Sequence, residues 1–199
     1  MTNVTWGAPS NRTGLGDERV RGVGFVVVMA AVMWVIEVVN ATSGGDLDRY
    51  GIRPRHFAGL DGIAFAPFLH ASWHHLIGNT VPFVILGAII ALSGLARIIA
   101  VTVIVALVGG LGTWLIAPAN SIHIGASGVV FGYATYLIAR FWYSRETIHI
   151  VGGIVVIAIW GATLLGGLIP HDGISWQGHL FGGVGGVVAA AVLDRRTRP

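Results

Sequence analysis

Gly178-His179-Leu180-Phe181-Gly182-Gly183-Val184-Gly185-Gly186 reads as the opening of a helix with one smooth face. Gly182, Gly183 and Gly186 follow His179 by three, four and seven residues, so they share the face of that histidine. Such a stripe lets a neighbouring helix come close enough for a histidine at its end to hydrogen-bond a short side chain. The glycines alone would fit a packing zipper with an ordinary core histidine. A histidine standing at the end of the stripe, across from a serine at matching depth, favours a site.

The rest of the composition says where that helix lives. Of 199 residues, 54% are hydrophobic and 11% charged, and the mean hydropathy is +0.77. A water-exposed surface needs roughly a quarter of residues charged. The 30 glycines show no Gly-X-Y period, which excludes collagen and fits closely packed membrane helices. With no cysteine, disulfides, thiolate metal sites and a cysteine nucleophile are all excluded. The basic residues are all arginine, scattered in twos and threes between apolar runs. That pattern lacks the basic, aromatic-interleaved surface of a nucleic-acid binder and fits positive loops flanking membrane spans.

A membrane-spanning helix takes roughly 17–25 apolar residues. Six segments approach that length: 22–40, 76–92, 98–116, 127–143, 148–169 and 178–193. The fourth and sixth are short and glycine-rich, as spans inside a bundle often are. If the helices alternate, Arg12, Arg19, Arg21, Arg97, Arg140, Arg145, Arg195, Arg196 and Arg198 fall on one side. Arg49, Arg53 and Arg55 fall on the other, which predicts cytoplasmic termini. The first span follows a polar head and lacks a small-residue cleavage site, so it reads as a retained anchor. The long connection 41–74 carries Phe57, Leu60, Ile63, Phe65 and Phe68, too apolar for a linker. It is expected to lie partly in the outer leaflet, with a short helix near residues 57–65.

Polar residues inside spans are costly and therefore suspect. His70, His75 and Asn79 gather at the start of the second span, with His75 and Asn79 one helical turn apart. His123-Ile124-Gly125-Ala126-Ser127-Gly128 leads into the fourth, placing Ser127 near a helix N-terminus. Unpaired backbone N–H groups and the positive dipole end there favour an alkoxide or a tetrahedral oxyanion. Gly-x-Ser-Gly alone is a weak signal, and it is not the hydrolase elbow, because Val129 stands where a glycine is needed. Glu37, near the outer end of the first span, reads as a partner for a loop arginine or a backbone amide. Trp34, Trp114, Trp142 and Trp176 read as interfacial belt residues. His56, His149 and His171 receive no role.

Taken together, His70…His75…Asn79, Gly125-Ala126-Ser127-Gly128 and Gly178-His179…Gly182…Gly186 resemble the rhomboid proteases in order and in placement on spans. The resemblance covers about residues 22–193. It implies an all-α membrane protein, a six-transmembrane-helix bundle of the minimal bacterial type with a long outer loop between helices 1 and 2. The protease domain would be 22–193, between a cytoplasmic polar segment 1–21 and a basic tail 194–199. The resemblance further implies Ser127 as nucleophile and His179 as general base and acid, a dyad with no third carboxylate. His75, Asn79 and the Ser127 amide would form the oxyanion hole, and Phe131 would support the histidine ring. Gly125, Gly128, Gly178, Gly182 and Gly186 would keep the site uncrowded, and His70 would serve a polar path for water. The substrates implied are single-span membrane proteins cut near the outer face of the plasma membrane; no cofactor, metal or nucleic acid is implied. The first-loop Trp-Arg pair of many rhomboids is absent; Arg53-Pro54-Arg55-His56 is the nearest approach.

Other readings explain less. A zinc intramembrane protease needs His-Glu-x-x-His on a helix, and no such run exists. A haem protein pairing His75 with His179 leaves Ser127 between its glycines unexplained. A small transporter, or an inactive relative that binds transmembrane clients, is the remaining non-enzyme alternative. Inactive relatives lack the serine or the histidine, and both are present.

Overall fold

A computed structural model describes residues 12–44, 46–144 and 146–194. Arg145, Arg195, Arg196 and Arg198, with most of the expected polar head and basic tail, lie outside the described residues. The described chain forms seven α-helices and no named strand. They are α1 (Arg12–Thr42), α2 (Gly62–Phe65), α3 (Trp73–Ala91), α4 (Leu95–Ile116), α5 (Ser127–Ser144), α6 (Thr147–Gly166) and α7 (Trp176–Leu193). Single 3-10 turns at Leu47–Tyr50, Phe57–Gly59 and Ala66–Phe68 shape the long connection around α2.

Helix ends follow local chemistry. Ser72 caps α3 by accepting the His75 N–H at 3.2 Å. Gly94, at φ +101°, makes the turn into α4, a conformation that disfavours a Cβ. Two expected boundaries move. α1 begins at Arg12, well before residue 22, because polar residues continue the helix beyond the apolar stretch. α6 ends at Gly166, before residue 169, because Gly166-Gly167 loosens the helix and Pro170 cannot continue it. Leu168 and Ile169 are therefore loop residues despite their apolar character.

The chain is a multi-pass membrane protein. α1, α3, α4, α6 and α7 are each long and apolar enough to cross a bilayer. α5 is not among them, and the reason is its position. Val129, Val130, Phe131, Gly132, Tyr133, Ala134, Tyr136 and Leu137 are all buried, so its surroundings are other helices and it can afford polar surface. α7 lies along it in the largest helix–helix interface of the fold, α4 covers α7, and α3 joins α1 to the bundle. α6 is the outlier: it packs mainly along α5 and buries little beyond Gly153 and Val156.

The α5–α7 contact is glycine against carbonyl. A Cβ on Gly182 would overlap the Gly128 carbonyl, and one on Gly186 would overlap the Gly132 carbonyl. Thr135 Oγ1 donates to the Gly183 carbonyl at 2.7 Å across the same seam. At the end of the bundle far from Ser127, Asp194 holds Arg97 and Arg140, each at 3.2 Å. This buried pairing gathers the starts of α4 and the ends of α5 and α7. Two of the arginines expected on one side of the membrane thus share a single carboxylate.

The long connection is tied down at the opposite end. Ile52 and His123 exchange backbone hydrogen bonds at 2.9 and 3.0 Å, and Arg55 Nη1 donates to the Leu115 and Ala117 carbonyls at 3.0 and 2.7 Å. Arg55 thereby caps the C-terminus of α4. Glu37 departs from expectation: among the described residues it pairs with no arginine, and its buried Oε2 has no protein partner. The loop instead brings Asp48 to Asn40, at 3.3 Å, one turn further along α1.

Gly186→Ala is expected to lower stability by about 1–3 kcal/mol or more through overpacking of the seam. Gly183→Ala, whose Cβ would meet only Thr135 Cγ2 at 3.4 Å, is expected to stay near wild type. Thermal unfolding in detergent reads both.

Candidate active site

Ser127 is the first residue of α5, and His179 sits in the first turn of α7. The glycine seam brings these two helix starts together, leaving Ser127 Oγ and His179 Nε2 at 2.8 Å. His179 Nδ1 lies 2.8 Å from the Gly167 carbonyl. A carbonyl can only accept, so Nδ1 carries the ring proton and Nε2 presents its lone pair to the serine hydroxyl. The ring stacks on Phe131, with centroids 4.1 Å apart and planes 7° from parallel. Position, tautomer and tilt of the imidazole are all fixed by protein groups.

The surroundings of Ser127 are rich in free donors. The first intrahelical bond of α5 runs from the Val130 N–H to the Ala126 carbonyl at 3.0 Å. The Ser127 and Gly128 amides therefore have no intrahelical partner. Gly125, at φ +112°, turns the chain into the helix, and a Cβ there would meet the His75 ring at 2.7 Å. The Asn79 Nδ2 group lies 3.4 Å from that same point, buried and without a protein partner. An unpaired buried donor is costly unless something occupies it during function. His75, Asn79 and the α5 amides thus converge on the space beside Ser127 Oγ.

The other expected residues divide. Gly128 and Gly178 face one another, since a Cβ on Gly128 would meet the Gly178 carbonyl at 3.1 Å. His70 does not line the cavity. It is buried behind His75, their rings 5.1 Å apart, and receives the Ala126 N–H at a long 3.5 Å. This is the geometry of a support for the loop, not of a path for water. His74 and His171 are exposed, and His149 pairs with Ser144 at 2.7 Å near the far end of α5.

A cavity of about 770 Å³ opens over the pair. α3 contributes Asn79 and Pro82, α5 contributes Ser127 and Phe131, and α6 contributes Trp160, with Gly167 just beyond its end. It lies between α3 and α6, which make no extensive contact with one another.

Residues 59–196 match the Rhomboid domain family, a span that begins in the long connection and takes in α2 to α7. The chain belongs to the rhomboid family. An uncharacterised protein of Mycobacterium tuberculosis is 42% identical over 198 residues, covering 96% of this chain and 82% of the relative. A Bacillus subtilis protein named provisionally as a rhomboid protease, YdcA, is 29% identical over 119 residues, 59% of each chain. Rhomboid-like protein 11, chloroplastic, of Arabidopsis thaliana is 31% identical over 144 residues, 65% of this chain and 51% of the relative. The family includes serine proteases.

Three polar partners in this rhomboid escaped the sequence reading. Ser175 Oγ accepts the Gly178 N–H at 3.2 Å, capping α7. His123 Nδ1 meets the same oxygen at 2.6 Å, and His123 Nε2 meets Ser121 Oγ at 2.8 Å. Ser121 Oγ donates its proton to the Pro118 carbonyl at 2.6 Å, so it accepts from His123 Nε2–H, and His123 Nδ1 in turn accepts the Ser175 hydroxyl proton. This chain ties the loop before Ser127 to the start of the helix that carries His179. A serine directly before an apolar run is an N-cap signal that could have marked Ser175. The third partner, the Gly167 carbonyl, has no side-chain signature; its clue is the Gly-Gly-Leu-Ile-Pro ending of α6.

Burial holds the His123 ring below its ordinary range. It also pushes His70 down to about 4, with the neighbouring His75 adding to the effect. Both folded values lie below the unfolded value of about 6.5, so the unfolded chain binds more protons between them. Stability is therefore full above pH about 6.5 and declines as pH falls below it. The melting temperature in detergent is expected to drop between pH 7 and pH 5, and His123→Asn is expected to flatten part of that slope.

Proposed function

We propose that this rhomboid is an intramembrane serine endopeptidase acting through a Ser127–His179 dyad. The observation that carries the reading is the 2.8 Å contact of Ser127 Oγ with a His179 Nε2 whose lone pair is free to accept. In this reading Ser127 Oγ attacks the scissile carbonyl carbon while its proton passes to His179 Nε2. The oxyanion takes hydrogen bonds from Asn79 Nδ2, His75 and the Ser127 amide. Collapse returns the proton from His179 to the departing amine and leaves an acyl-enzyme. Water then attacks the ester, with His179 again as base, and releases the carboxylate and free Ser127.

The substrates would be single-span membrane proteins. Their unwound segment would reach the cavity between α3 and α6, where α6 packs mainly on α5. Helices α1 and α3 to α7 would give six spans, α5 included because its partners surround it. The arginines at the Asp194 end would be cytoplasmic and the site would face outward, in a bacterial plasma membrane. The protease domain would take in residues 22–193.

Labelling with a fluorophosphonate and intact-mass analysis tests this without a substrate. One adduct is expected on the wild type and none on Ser127→Ala or His179→Ala. No adduct on folded wild type, or equal labelling of Ser127→Ala, would sink the dyad and favour a client-binding protein without catalysis. Labelling is expected to slow as the medium is acidified, because an imidazole that gains a proton can no longer serve as a base. Asn79→Ala is expected to reduce peptide turnover by about 10²–10³, the usual loss for one oxyanion donor.

A further inference from the structure

We infer that the Gly167 carbonyl is the positioning group of the dyad, and that it makes the base conditional on the seating of α6. The inference rests on the dyad proposed above and concerns which group orients it.

The acceptor is freed by the sequence around it. A carbonyl in the last turn of a helix ordinarily looks for a donor three or four residues on. For Gly167 the first of these is Pro170, which has no N–H, and the next, the His171 N–H, does not reach it. The neighbouring Leu165 and Gly166 carbonyls are taken by the Leu168 and Ile169 amides at 3.2 and 3.1 Å. The Gly167 oxygen thus keeps its accepting capacity for His179 Nδ1, at 2.8 Å. The approach also requires glycine: a Cβ at 167 would meet Phe131 Cζ at 2.5 Å and His179 Nδ1 at 2.9 Å.

Nothing else on the described chain bonds His179 Nδ1, so this oxygen alone sets which ring nitrogen carries the proton. In a soluble serine hydrolase a buried carboxylate does this work; here a backbone carbonyl on the edge of the bundle does it. That edge is the weakly held one. α6 packs mainly on α5, buries few residues and borders the cavity. Moving its C-terminal end outward withdraws the acceptor from Nδ1. The imidazole then loses its tautomer preference, and Nε2 carries the proton part of the time and cannot accept from Ser127. A site that is open towards α6 is in this way idle until α6 closes again.

An ester in place of one amide tests the carbonyl without touching a side chain. Leucic acid at position 168 turns the Gly167 carbonyl into a weaker ester acceptor. The same exchange at position 169 removes a comparable helix-end N–H but leaves Gly167 unaltered. The 168 ester is expected to slow fluorophosphonate labelling about three- to tenfold, the worth of one hydrogen bond. The 169 ester is expected to label at the wild-type rate. In ¹⁵N spectra, the His179 ring is expected to be the Nδ1–H tautomer in wild type and a tautomer mixture in the 168 ester. Equal rates for the two esters, with unchanged His179 ring signals, would overturn the inference and leave the dyad standing. Absence of labelling on wild type would remove the dyad and this inference with it. Should the esters not fold, Gly167→Ala against Gly166→Ala, whose Cβ meets nothing within 4 Å, gives the same comparison. Slow labelling with a tautomer mixture only in the first supports the inference, and a fast or tautomer-pure Gly167→Ala overturns it.

Discussion

Two helices that touch backbone to backbone set everything else in this protein. Where Gly182 and Gly186 of α7 meet the Gly128 and Gly132 carbonyls of α5, no side chain stands between them. Among apolar helices in lipid there is little hydrophobic gain from association, so close packing and interhelical hydrogen bonds must hold the pair. The seam supplies both, through its glycines and through Thr135 to the Gly183 carbonyl. It also fixes the relative height of the two helix starts, which is what leaves Ser127 and His179 at hydrogen-bonding distance. Displacing either helix by one side chain's width would leave two ordinary polar residues in an apolar bundle.

Around that seam the fold is graded in rigidity. The far end is clamped by Asp194 with Arg97 and Arg140, and the near end by the Ile52–His123 backbone pair, Arg55 and the His123–Ser175 chain. Among the described residues α6 has no equivalent clamp. The central helices therefore hold the serine and the histidine, while the loosely held helix borders the cavity that the proposed function assigns to a substrate segment. Helix packing and the proposed chemistry ask for the same arrangement: a fixed reacting pair beside a movable wall.

Much of this was readable in the residues. The helices and the convergence of His75, Asn79, Ser127 and His179 follow from spacing that places polar groups and glycines on particular faces, while the stacking of Phe131 was implied by the resemblance to rhomboids. Side-chain identity carries that information. What remained hidden is carried by the backbone. The Gly167 carbonyl, the Arg55 cap on α4 and the Ile52–His123 pair join residues far apart in sequence through groups that every residue possesses. The misjudged ends of α1 and α6 have a similar origin. Hydropathy marks where a chain is apolar, while a helix stops where its hydrogen bonds stop, and Gly166-Gly167 with Pro170 decided that at α6. Glu37 misled for a different reason: a buried carboxyl suggests an arginine partner, but the loop brings Asp48 to that region and turns its arginines elsewhere.

The most direct test of the central claim is proteolysis in a bilayer. The purified protein, reconstituted in liposomes with a single-span reporter of small residues near its outer end, is incubated and the products are read by mass spectrometry. One cut in the outer part of the reporter's span is expected with wild type and none with Ser127→Ala. An uncut reporter beside an enzyme that accepts a serine-directed probe would restrict the claim to other substrates. Cleavage that persists in Ser127→Ala would contradict it.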